Sequence, residues 1–74
     1  MIKLFAIKEE QAERIKRRYK LSTMAEEVGI STTLITFIFK KLRPCSKKTA
    51  YAITKYIDSE AEITDFFVRV EKGD

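Results

Sequence analysis

One glycine constrains this chain more than any other residue. It lies inside residues 22–39, STMAEEVGISTTLITFIF. Before it, Ala25 and Val28 fall on one side of a short helix, with Met24 one turn before Val28. Gly29 follows at once, where the chain must leave that helix with a positive φ, a conformation other residues adopt only against steric repulsion. Ser31 or Thr32 can then cap a second helix by accepting from its first free N–H groups. Ile35 and Ile38, three apart on that helix, point the same way. Ala25 is small enough to let the two axes cross closely. At the start of the first helix, Thr23 to Glu26 reads T-x-x-E, which predicts a capping box.

Helix, glycine turn and helix with these apolar offsets form the helix-turn-helix pattern. The plainer alternative is an αα-hairpin in a helical bundle. The wording AEEVGIS followed by LI and then I resembles the lambda-repressor and Cro-like helix-turn-helix family, whose members read A-E-x-L-G-V-S and later I-x-x-I. SKKTAYAITKYI resembles the helix that follows the motif in that family, S-x-K-T-A-x-K-I-A. With its flanks the resemblance covers about two-thirds of the chain. It implies an all-α fold, a compact bundle of about five short helices in one domain over 1–74, with the motif at about 22–41.

Charge is arranged unevenly. The net charge is +4, yet no Asp or Glu occurs between Glu27 and Asp58, a span that holds Lys40, Lys41, Arg43, Lys47, Lys48 and Lys55. A second basic cluster, Arg14, Lys16, Arg17, Arg18 and Lys20, precedes the motif, and the acids gather toward the ends. One-sided charge of this kind suits an anionic partner, either phosphate backbone or an acidic protein face; a solvated face is the blander reading. With 74 residues there is little room for a buried catalytic cleft. The chain has one cysteine, Cys45, and no histidine, so neither an intramolecular disulfide, a zinc site nor a Cys–His nucleophile pair is expected. Neighbouring acids such as Glu26 and Glu27 diverge by about a hundred degrees on a helix, so no catalytic pair is expected either. The apolar run near Met1 to Ile7 is too short for a signal core or a membrane span. These readings predict a cytoplasmic protein that is not an enzyme, with no cofactor, metal or small-molecule ligand.

Outside the motif, Glu9 to Arg18 predicts a helix with acids first and bases last, its apolar side at Ala12, Ile15 and Tyr19. Residues 2–8 read as an extended arm or a first helical turn. The third helix is expected over about Thr32 to Lys41, Pro44 fixes the connection, and Ser46 should cap a fourth helix at Lys47 to Ile57. After a polar break at Asp58 to Glu62, residues 63–70 (ITDFFVRV) fit a short helix or a strand.

The exposed side of the third helix should carry Thr32, Thr33, Thr36, Phe37 and Lys40, with Leu34 at its edge. Readers of DNA place there side chains that bond to base edges. The threonines and Lys40 fit; Phe37 does not, because the family commonly has Arg or another polar residue there. Leu21 is a second departure, at a position where many members have a phosphate-contacting Gln. Phe39 is expected to pack inward. An outward Phe37, rimmed by Thr and Lys, has the makings of a protein-binding hot spot. The combination resembles the small antirepressors of temperate phages of the modulator-of-repression type. That resemblance implies a partner, the DNA-binding domain of a phage repressor, contacted by Thr32, Thr33, Leu34, Thr36 and Phe37, with Lys40, Lys41 and Arg43 steering onto acidic groups. The rival expectation is a Cro-like repressor that binds operator DNA directly. It would use Lys40, Lys41, Arg43, Lys47 and Lys48 on phosphates and a symmetric dimer through Phe66, Phe67, Val68 and Val70. Closing the core is the simpler role for those four.

Overall fold

The computed structural model describes residues 2–72, and side chains over 4–70. Its elements run β1 (Ile2–Ile7), α1 (Glu9–Arg18), α2 (Leu21–Val28), α3 (Thr32–Lys40), β2 (Cys45–Ser46), α4 (Lys47–Ile57), α5 (Ile63–Phe66) and β3 (Phe67–Lys72). The three strands form an antiparallel sheet in the order β2-β1-β3. This corrects the all-α expectation: the described residues form five helices, but these accompany a small antiparallel sheet. The sheet joins pieces far apart in sequence: Ile2–Ile7, the two residues after Pro44, and Phe67–Lys72. Phe5 and Ile7 turn inward from β1, as alternation along a strand requires. Their neighbours Leu4 and Ala6 are also apolar, so no polar-out signal marks the strand.

α1 follows its expected bounds, with Glu9 and Glu10 in the first turn and Lys16, Arg17 and Arg18 in the last, each complementing the helix dipole. It buries Ala12 and Ile15, and Tyr19 meets the edge of Tyr56 with centroids 5.8 Å apart. α2 begins at Leu21, so Thr23 is its third residue and cannot cap it. Lys20 takes the N-cap position without a side-chain bond, correcting the expected capping box. Gly29 ends α2 at φ 87°, its N–H donating to the Ala25 carbonyl at 2.8 Å, and the Ile30 N–H reaches the same oxygen at 3.0 Å. Of the two candidate caps for α3, Ser31 acts: its Oγ accepts from the Leu34 N–H at 3.0 Å. α4 matches its expected span, with Ser46 Oγ accepting from the Thr49 N–H at 3.3 Å.

Residues 63–70 are neither all helix nor all strand. One helical turn ends at Phe66, and extended backbone starts at Phe67. A bond from the Glu62 N–H to Asp65 Oδ2 at 2.9 Å holds the start of that turn. The core gathers Met24, Ile35, Ile38, Phe39, Ile53 and Phe67, all fully enclosed. The inward packing expected of Phe39 is therefore present. Phe66 packs on this core as well, but Val68 is exposed and Val70 half-buried, so closing the core accounts for only two of the four C-terminal residues. Among the described residues no helix is long and apolar enough to cross a membrane.

Candidate interaction face of the third helix

α3 is fixed from both ends and from beneath. The left-handed turn at Gly29 sets the angle at which it leaves α2, Ser31 caps one of its first free N–H groups, that of Leu34, and Ile35, Ile38 and Phe39 anchor its inner side. Its outer side is then determined by helical geometry. Thr32, Thr33 and Lys40 are exposed, and Thr36 and Phe37 are half-buried. Leu34 has the same half-buried standing as Thr36 and Phe37 and also packs against the core. Ala25 is buried on α2, and α2 packs against α3.

Phe37 differs from Leu34 in one respect that matters. Although partly covered, its ring is not among the side chains that pack on the core. Part of its cover is Arg43, whose guanidinium carbon lies 5.7 Å from the ring centroid. The end of α3 brings this pair together. The Phe37 carbonyl accepts from the Lys41 N–H at 3.0 Å and from the Arg43 N–H at 3.2 Å. Closing the second bond needs a left-handed residue between them, and Leu42 supplies it at φ 52°. For a leucine this costs about 1–2 kcal/mol, and Leu42's own packing on the core offsets it. No glycine or asparagine at position 42 signals such a turn, so Arg43's return onto Phe37 was hidden in the sequence. A cation held over an aromatic face adds about 0.5–1 kcal/mol where water has access.

The surroundings are electropositive. Lys40, Lys41 and Arg43 are exposed after α3, and Lys47 and Lys48 are exposed in the first turn of α4. No acid lies in the first turn of α2, α3 or α4, so nothing on those helices neutralises the partial positive charge at their N-terminal ends. Leu21 is half-buried against the core, which explains why an apolar residue stands there. Tyr51, at 54% exposure the most open large apolar residue described, escaped the sequence reading because helical spacing alone did not single it out. Lys55 Nζ lies 5.4 Å from its ring centroid.

Among the described residues no group of three His, Cys, Asp or Glu side chains could hold a metal ion. Cys45 is buried in β2 facing Phe5, and burial pushes its thiol up to about 11, so it is un-ionised at neutral pH. Two shallow hollows, each of about 310 Å³, lie away from α3. One is bordered by Arg14, Arg18 and Phe66, the other by Phe5, Tyr51 and Ile63. Comparison with known protein families, curated proteins and solved structures finds no match for this chain.

Proposed function

We propose that this protein is a regulator of a phage genetic switch, an antirepressor that binds the DNA-binding domain of a partner repressor in the cytoplasm of a bacterial host. The observation that carries the reading is Phe37: a half-buried ring on the outer side of α3, stacked under Arg43 and not packed on the core. Aromatic and arginine side chains at the centre of a face, with hydroxyls and lysines around them, are the composition of a protein-binding hot spot. Burying the exposed remainder of the ring, at most about a third of it, contributes on the order of 0.5–1 kcal/mol. In a DNA groove the ring meets only a thymine methyl and leaves base-edge groups without hydrogen-bond partners.

In this mechanism α3 docks on the repressor's own helix-turn-helix and covers the surface that faces the operator. Thr32, Thr33 and Thr36 supply hydrogen bonds around Phe37. Lys40, Lys41 and Arg43 speed the encounter and settle on acidic groups. The role is binding, not catalysis.

A second reading, a Cro-like repressor on operator DNA, draws support from the exposed Thr32 and Thr33 and from Lys47 and Lys48 at an acid-free helix start. One mixing experiment separates the two. Labelled operator is titrated with the protein alone and with the repressor encoded nearest to it, at low and moderate salt. The antirepressor reading expects release or remodelling of bound repressor. Tight, sequence-selective binding by the protein alone refutes it.

A further inference from the structure

One side of α1 carries an arrangement that the α3 face does not use. Gln11, Arg14, Ile15 and Arg18 follow at i, i+3, i+4 and i+7, so they lie along one stripe of the helix. All four border the hollow of about 310 Å³ that Ile57, Asp58 and Phe66 also line. Ile15 is buried, and Tyr19, Ile57 and Phe66 are half-buried, so apolar groups form part of its wall. That wall is held in place. Tyr19 meets the edge of Tyr56, its hydroxyl lies 3.5 Å from the Ile57 carbonyl, and the Phe66 carbonyl accepts from the Lys8 N–H at 2.8 Å.

The two arginines are exposed and stand about 6 Å apart along the helix axis. Among the described residues neither guanidinium has an ion pair or a hydrogen bond. The carboxylate that lines the hollow with them, Asp58, is engaged in its own loop, where Oδ1 accepts from the Glu60 N–H at 3.0 Å. Arg18 lies in the last turn of α1, where a cation complements the helix dipole; Arg14 does not, so the dipole accounts for only one of the pair.

We infer that this hollow is a second contact site, one that takes a protein segment with a carboxylate next to a large apolar side chain. Charge calls for the acid, because two guanidiniums one turn apart present paired donors with no acceptor of their own. Tyr19, Ile57 and Phe66 call for its apolar neighbour. Size favours a side chain over a free ligand. The hollow is at the lower end of the range for small-molecule sites, and its shallow form cannot enclose most of a ligand's surface as those sites do. Asp58 favours a polypeptide over a nucleic-acid strand. Its carboxylate accepts from a main-chain N–H but repels a strand with a phosphate at every step. The site lies away from α3 and is independent of the role proposed for that helix.

The probe is a blocked Glu-Phe-Glu peptide, titrated into isotope-labelled protein and followed through its backbone amide shifts. Shifts should gather at Gln11, Ile15, Tyr19 and Asp58, with a Kd on the order of 0.1–1 mM. A Gln-Phe-Gln peptide should bind about 3- to 10-fold more weakly, and so should the Arg14→Gln/Arg18→Gln protein toward Glu-Phe-Glu. Both arginines are exposed and unpaired, so that variant should melt like the wild type. Arg17→Gln removes a charge from the same basic run but outside the hollow, and should leave the affinity unchanged. A Glu-Phe-Glu titration without shifts at the hollow overturns the inference. So does a loss on Arg17→Gln equal to that on Arg14→Gln alone, which reduces the effect to net charge. An oligothymidine strand that displaces the peptide at equal concentration assigns the hollow to nucleic acid, and 3-phenylpropionate binding as tightly as the peptide assigns it to a free small molecule; either result also overturns it.

Discussion

Thr54 is fully enclosed in α4, and its Oγ1 has no hydrogen-bond partner among the described residues. A buried hydroxyl in that state has lost its water without replacement, which costs about 1–3 kcal/mol. Valine occupies nearly the same shape, shares the β-branch and has a similar helix propensity, so Thr54→Val changes little except the hydroxyl. The expected gain is about 1–2 kcal/mol, which in a domain of this size raises the melting temperature by roughly 5–10 °C. Thr54→Ser makes the opposite change: it keeps the hydroxyl and deletes the methyl, and should cost about 1 kcal/mol through the space left behind. Thermal and urea melts of the three proteins, with equal urea slopes as a check on the unfolded state, give the comparison. If valine destabilises while serine is neutral, the hydroxyl is satisfied by a backbone carbonyl of the preceding turn or by an enclosed water, and the reasoning fails.

Other perturbations isolate other parts of the fold. Gly29→Ala meets no atom within 4 Å of the new Cβ, so its cost, about 1–2 kcal/mol in a urea melt, comes from backbone strain at φ 87° alone. Ser31→Ala removes the cap of α3 and should cost about 1 kcal/mol, detected by melting and by faster amide exchange at Leu34. Cys45 adds a pH dependence. Its folded thiol ionises near 11 and the unfolded one near 9.0, so the stabilisation is complete below pH 9 and is lost as pH rises toward 11. Cys45→Ala, although less stable, should show a shallower decline over that window.

Local features of the fold were legible and non-local ones were not. The bounds of α1 and α4, the cap at Ser46 and the left-handed Gly29 all follow from residues within a few positions of one another. The sheet depends on pairings such as Ile7 with Phe67 and Phe5 with Cys45, which no window along the chain contains. Its alternation was also hidden, because Leu4 and Ala6 are as apolar as Phe5 and Ile7. Thr23 misled for a different reason. T-x-x-E is a capping signal only if the helix starts there, and Leu21 and Ser22 had already entered it. On the candidate face, the outward position of Phe37 followed from helical geometry. Arg43's approach to it depended on a leucine in a conformation that sequence preference argues against.

The account rests on Phe37 meeting a protein. The most direct test is the affinity of the wild type and of Phe37→Ala for the isolated DNA-binding domain of the partner repressor, measured by calorimetry. Because Phe37 does not pack on the core, the variant should fold normally. Its affinity should fall roughly 2- to 5-fold, the equivalent of burying the exposed remainder of the ring. An unchanged affinity, or a wild type that ignores the repressor domain and binds operator DNA selectively by itself, would contradict the account.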